Sequence, residues 1–162
     1  MKRILCLMMI FMATIGSVAQ GADLKELLVL RANLQEESKT LKSILADTKD
    51  ILYINTLWDS CAMSTMQIDA YFVMIGIYEA APVKYRRQEG ADYMMKWLTA
   101  VKNTHELNVK TLAGMTGLND PRSNDHILKL KTMYESLLLI IDGETDKLMV
   151  LKQGENKRAA QQ

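Results

Sequence analysis

The chain has 162 residues, with 20 Lys or Arg against 19 Asp or Glu, which gives a formal net charge of +1. A charge this close to zero excludes the strong positive field of most nucleic-acid-binding domains, so no nucleic acid is expected as a partner. The length fits one ordinary domain, and two cysteines are too few for a fold held together by disulfides.

The first nineteen residues have the pattern of a secretory signal peptide. Lys2 and Arg3 give a positive start, an uncharged and mostly apolar run covers 4–15, and small residues follow. We expect cleavage after Ala19, with cleavage after Gly21 as the alternative. The apolar run is shorter than the roughly 20 residues that span a bilayer, so an uncleaved anchor is the weaker alternative. The sequence therefore predicts a periplasmic or secreted protein without stable membrane insertion after cleavage of residues 1–19.

The remainder of the chain is predicted to be a helical domain at 20–152, followed by a disordered polar tail at 153–162. Between Asp23 and Gln153, apolar residues recur at spacings of three and four, and no stretch alternates as a strand does. After cleavage the chain retains a single cysteine, Cys61, so an internal disulfide is excluded and burial is the expected role of its thiol.

The first predicted helix runs from Asp23 to about Ala46. Asp47, Thr48 and Asp50 then offer N-cap side chains before a new apolar run, which predicts a tight turn. No Gly or Pro enforces this turn, so one uninterrupted helix from Asp23 to Ala80 is the alternative. The fold would then be a long helical hairpin that dimerises to cover its apolar stripes.

The second predicted helix presents a wide apolar face. Its inward positions follow an unbroken alternation of three and four: Ile51, Ile54, Trp58, Cys61, Thr65, Ile68, Phe72 and Ile75. A face this wide predicts burial against more than one neighbour. Asp59 and Asp69 interrupt the run and would be costly in lipid, so a membrane span is rejected.

Two prolines, Pro82 and Pro121, lie where further helices would begin. The third helix is predicted to follow Pro82 and to end near Gly114. The fourth is predicted to follow a turn cluster at 117–124 and to end at about Lys152. Short connections force neighbouring helices to run in opposite directions, so the sequence predicts an all-α, up-down-up-down four-helix bundle.

One histidine offers a candidate metal site. An antiparallel hairpin that turns at Pro82 would place His105 level with Asp59 and close to Cys61. These three side chains are the candidate ligands of a soft, copper-like metal, and Cys61 with His105 would serve a copper or haem carrier. The more ordinary interpretation is a histidine satisfied by a carboxylate at the helix seam, so the leading expectation is that no cofactor is bound.

Aromatic residues crowd the predicted hairpin between the second and third helices, and basic residues lie among them. Tyrosines and arginines together are typical of a surface that recognises a protein partner or an anionic small ligand. The candidate binding residues are Tyr71, Tyr78, Tyr85, Arg86, Arg87, Tyr93 and Trp97. The alternative is that these rings close the end of the core while the basic side chains are simply solvated.

The sequence contains no Glu-x-x-His pair, no C-x-x-C-H and no H-E-x-x-H, so no motif favours an enzyme. The leading hypothesis is an exported binding protein without catalytic activity, which engages a protein partner or small ligand through the aromatic and basic hairpin. The alternatives are a periplasmic metal or haem carrier and a structural homodimer sealed by the apolar stripes.

Overall fold

The computed structural model describes residues 22–82, 85–115 and 121–159. These residues form four α-helices: α1 at Ala22–Ile44, α2 at Ile51–Ala80, α3 at Ala91–Gly114 and α4 at Pro121–Ala159. No strand occurs in the described ranges, so the all-α prediction is confirmed. The predicted signal peptide lies outside the described residues.

The predicted break between the first two helices is present. The backbone N–H of Asp50 donates to the Thr48 hydroxyl at 3.0 Å, and this local bond shapes the turn before α2. The side chain of Asp50 makes no capping hydrogen bond, so Thr48 organises the turn in its place. The alternative of one uninterrupted helix from Asp23 to Ala80 is wrong.

The core lies along the middle of the four helices, where each contributes a stripe of buried side chains spaced by three and four residues. Burial of this apolar surface is the main force that holds the helices together. The largest fully buried side chains from the four helices include Leu34, Leu41, Ile54, Leu57, Leu98, Leu130 and Tyr134.

Side-chain contacts fix the register of neighbouring helices. Arg31 on α1 forms a two-pronged ion pair with Asp69 on α2, and the Lys42 ammonium lies 5.9 Å from the centre of the Trp58 ring. A contact residue closer to the C-terminus of α1 therefore meets a residue closer to the N-terminus of α2, by the same number of positions.

The pair α3 and α4 shows the same relationship. The Lys152 ammonium donates to Asp92 at 2.5 Å, and the Lys102 ammonium donates to Asp142 at 2.6 Å. The backbones of α2 and α3 approach closely at few points, so the space between them is filled by large side chains.

The entry to α3 differs from a simple helix start. A π-helical turn at Arg86–Gly90 leads directly into α3, and the Arg86 N–H donates to the Pro82 carbonyl at 3.0 Å. The last helix continues to Ala159, beyond the predicted end at Lys152. None of the helices in the described part of the chain is long and apolar enough to cross a membrane.

Candidate binding site

An open groove of about 280 Å³ lies between the end of α2 and the start of α3. We call it the α2/α3 groove. Tyr85 and Tyr93 form its rim, with 52% and 64% of their surfaces exposed. Its lining is otherwise apolar or aromatic and comprises Met74, Ile77, Tyr78, Ala81, Gly90 and Met94.

The π-helical turn sets the shape of this groove, and Gly90 is the residue that permits it. A Cβ atom at Gly90 would lie 3.1 Å from Tyr78 Cδ2 and 3.3 Å from the Tyr85 carbonyl oxygen. Both distances are tighter than ordinary contact, so a side chain here would push Tyr78 away from the turn. π-Helical turns are rare and are found disproportionately at functional sites.

The structure brings three of the predicted binding residues together, since Tyr78, Tyr85 and Tyr93 all line the groove. Arg86 follows Tyr85 in the π-helical turn and is half-buried. Its Nε atom is buried without a hydrogen-bond acceptor among the described residues. The side chain of Arg87 lies outside the described part of the chain.

The other two predicted residues do not line the groove: Tyr71 is buried in the bundle, and Trp97 is half-buried and packs against the core. Their rings stack across α2 and α3 with centres 5.7 Å apart and planes tilted by 10°. Tyr71 is buried, and its hydroxyl donates to the Glu144 carboxylate on α4. Both rings therefore support the core, because Tyr71 continues the buried stripe of α2.

The candidate metal ligands face different surroundings. Asp59 is exposed and accepts a weak hydrogen bond from Asn55 at 3.5 Å, whereas Cys61 is fully buried. Asp59 and Cys61 are separated by two positions on α2, and side chains with this spacing on an α-helix point about 200° apart. The two side chains therefore cannot bind the same ion. Across the described residues, no three His, Cys, Asp or Glu side chains are arranged to hold a metal.

His105 occupies the middle of the bundle. It is fully buried, and its ring centre lies 5.3 Å from that of Tyr134. Neither ring nitrogen has a hydrogen-bond partner in the described part of the chain, so the expected carboxylate is not present. Burial lowers the pKa of His105 to about 4, which keeps the imidazole neutral at physiological pH.

A cavity of about 20 Å³ lies beside His105. Side chains from all four helices line it, and the surface that they present to it is apolar. Gln67 Oε1 is also buried without a partner among the described residues. A cavity of this size has room for one water molecule, but its apolar surface offers such a water no hydrogen-bond partner.

The thiol of Cys61 is held in its protonated form. Burial raises its pKa to about 12, and the negative charge of Glu37 adds to the shift. The neighbouring Tyr134 hydroxyl lies 2.6 Å from the Ser60 hydroxyl, and burial raises the Tyr134 pKa to about 12. Since the thiolate is the nucleophile and the metal ligand, Cys61 is inert in this environment.

Glu37 is a buried polar residue that the sequence analysis missed. It is fully buried, pairs with His126 through Oε1, and has the Lys129 ammonium 2.5 Å from Oε2. A signal was available, because Glu37 continues the apolar spacing of Leu34 and Leu41 on α1. A carboxylate on a core stripe indicates a cation on a facing helix.

No protein-family model, no curated protein and no solved structure matches the chain.

Proposed function

We propose that the protein is an exported, non-catalytic binding protein that engages a partner protein through the α2/α3 groove. The observation that carries this proposal is the groove itself, in which Tyr78, Tyr85 and Tyr93 line an open pocket on a π-helical turn. Exposed tyrosines around a concave apolar surface are typical of binding hot spots.

The chemistry of the lining selects an aromatic or apolar group that carries a negative charge nearby. Met74, Ile77 and Met94 offer flexible apolar surface, and methionine adapts readily to an inserted ring. Arg86 adds a cation next to Tyr85, and its guanidinium can pair with a carboxylate. We expect an aromatic or long aliphatic side chain of the partner to enter the groove, with an acidic residue beside it.

The setting of the groove favours a side chain of a protein over a free small molecule. Its volume of about 280 Å³ is close to the lower end of the range of about 300–1,000 Å³ that is usual for small-molecule sites, so the volume fits either occupant. The wall residue Ile77 also belongs to an exposed apolar surface along α2. A partner that covers both would bury more surface than a small ligand buries.

The metal or haem carrier has less support. Cys61 holds a protonated thiol, and the cavity beside His105 has the volume of one water molecule, far below that of a porphyrin. The up-down-up-down arrangement is our inference for the fold, and the opposed registers of α1 with α2 and of α3 with α4 support it. Export rests on the sequence pattern of residues 1–19.

The experiment is a titration of the mature, ¹⁵N-labelled protein with two matched probes, phenylacetate and neutral phenylacetamide, followed by NMR. We expect shifts at Tyr78, Tyr85 and Tyr93, with stronger binding of phenylacetate. Tyr93→Ala should weaken both probes, and Arg86→Gln should remove the preference for phenylacetate alone. Leu128→Ala, an exposed site on α4, is the control. Shifts elsewhere, or none, would contradict the proposal.

A further inference from the structure

The outward face of α2 carries an exposed stripe with the spacing of a coiled-coil seam. We call it the outer stripe. Its positions alternate strictly by four and three residues: Leu52, Thr56, Asp59, Met63, Met66, Ala70, Val73 and Ile77. All eight are exposed, and Leu52 and Met66 keep 75% and 70% of their surface in solvent.

The opposite face of α2 already packs into the bundle. Its buried residues also alternate by three and four: Ile54, Leu57, Cys61, Ser64, Ile68 and Tyr71. The helix is therefore apolar on two opposite faces, and a helix of this kind is normally covered on both. A sustained three-four seam is the pattern into which a second helix packs its side chains.

We propose that a second copy of this chain covers the outer stripe, and that two α2 helices pair antiparallel about a two-fold axis between Met63 and Met66. The order of residues in the outer stripe supports a second copy as the partner, because an antiparallel pairing places apolar residues of similar size opposite each other. Leu52 faces Ile77 of the second copy, and Met63 faces Met66. A two-fold dimer requires such self-complementarity.

The single charge in the stripe selects the antiparallel direction. A parallel pair would place Asp59 against Asp59, and like charges at a seam are unfavourable. The antiparallel pair places Asp59 opposite Ala70 of the second copy. Ala70 is uncharged, so the antiparallel pair avoids this repulsion.

The flank of the stripe next to α1 favours close approach of two helices. The positions that border the seam there hold the small residues Ala62 and Gly76, together with Asn55 and with Asp69, whose carboxylate is engaged by Arg31 of α1. The five large exposed apolar side chains offer on the order of 500 Å² per copy, so a pair buries about 1,000 Å², the lower limit of a specific interface. The dimer is accordingly a reversible one.

In the proposed dimer, the α2/α3 groove of each copy lies next to the second copy. The contacts of the dimer do not require the groove to be occupied. The exposed residues Ile51 and Tyr53 at the start of α2 come to lie beside Ile77 of the second copy, which forms part of the groove wall. Each groove would then have a rim from the second copy. Self-association and ligand binding remain separately measurable.

Sedimentation equilibrium of the mature protein tests the pairing. We expect a monomer–dimer equilibrium that Met66→Asp weakens by about 100-fold, because the introduced carboxylate would be buried in the seam. The matched control is Leu139→Asp, an equally exposed leucine on α4, which should leave the equilibrium unchanged. Circular dichroism verifies that both variants fold. A wild-type monomer at all concentrations, or dissociation by Leu139→Asp alone, would overturn the proposal.

Thiol crosslinking tests whether the two α2 helices pair in the antiparallel or the parallel direction. Leu52→Cys and Ile77→Cys are prepared separately and treated with a short bifunctional thiol reagent, alone and mixed; the native Cys61 is buried and stays unreactive. The antiparallel pair predicts crosslinked dimers in the mixture and not from either variant alone. Crosslinking of Leu52→Cys with itself would indicate a parallel pair and would overturn the proposal.

Discussion

Glu37 on α1 and His126 on α4 form a hydrogen-bonded pair inside the bundle, with the Glu37 carboxylate fully removed from solvent. Lys129, one turn further along α4, approaches the second carboxylate oxygen at 2.5 Å. These contacts join α1 to α4, because Glu37 lies on α1 and both of its partners lie on α4. A carboxylate buried in this way is stabilised by the Lys129 ammonium and by its hydrogen bond with His126, and removal of its charge leaves the ammonium unpaired.

Glu37→Gln should therefore lower the free energy of unfolding by about 1–3 kcal/mol, because the ion pair with Lys129 is lost and the carboxylate that His126 contacts is neutralised. Urea denaturation at neutral pH measures the change. The matched control is Glu36→Gln, whose exposed partner Lys39 lies one turn away and whose loss should cost less than about 0.5 kcal/mol. Equal losses for the two variants would contradict a role for the buried pair.

His105 should make stability depend on pH. Its pKa falls to about 4 in the folded protein against about 6.5 when unfolded, so the unfolded chain binds the extra proton between these values. The contribution is fully present above pH 6.5 and declines by up to about 1.4 kcal/mol per pH unit as the pH falls toward 4.

His105→Leu should abolish this part of the pH dependence and leave stability at pH 7.5 equal or higher, because an unpartnered polar ring is replaced by an apolar side chain. Glu144 lines the same cavity and is kept in both proteins, so the comparison isolates the histidine. Denaturation midpoints at pH 5.0 and 7.5 provide the measurement. Identical pH slopes for the wild type and His105→Leu would refute the prediction.

Tyr71→Phe should cost about 1–2 kcal/mol of unfolding free energy, since it removes the hydrogen bond to the buried Glu144 carboxylate and preserves the ring. The stacking of residue 71 on Trp97 should persist, so Trp97 fluorescence should change little. Tyr93→Phe, at the exposed rim of the groove, is the control and should leave stability unchanged. A neutral Tyr71→Phe would show that the Glu144 contact contributes nothing.

Gly90→Ala should destabilise the protein by about 1 kcal/mol and weaken probe binding in the α2/α3 groove, because the added Cβ displaces Tyr78. Gly114→Ala is the natural comparison, since an added Cβ there meets no atom within 4 Å. It should be neutral or stabilising by up to about 1 kcal/mol through helix propensity. Thermal melts and phenylacetate titrations of both variants decide between these outcomes.

Periodicity was enough to predict the helices, because apolar residues spaced by three and four need a common core, and the N-cap side chains after α1 predicted the break before α2. It did not predict which polar residues enter that core. Glu37, His105 and Glu144 all continue apolar stripes, but the side chain that faces each of them is set by the packing of other helices. The placement of His105 near Asp59 assumed close packing of α2 on α3, whereas the backbones of these two helices approach closely at few points.

The sequence indicated the α2/α3 groove only through a cluster of aromatic residues. Three tyrosines meet because a π-helical turn replaces the expected start of α3, and no local pattern in the Arg86–Gly90 segment predicts such a turn. Tyr71 and Trp97 belong to the same cluster in sequence, yet Tyr71 lies in the core and Trp97 packs against it. The pattern of α2 also predicted burial against more than one neighbour, and this stays a prediction, since the outer stripe is exposed.

The most direct test of the central claim is site-specific photo-crosslinking in living cells, with a benzophenone amino acid in place of Tyr93 at the rim of the α2/α3 groove. A matched protein carries it in place of Leu128, which is equally exposed on α4. We predict that one partner protein is crosslinked from position 93 and not from 128, and that Tyr85→Ala abolishes the product. The same products from both positions, or none from position 93, would contradict the assignment of the groove as the binding site.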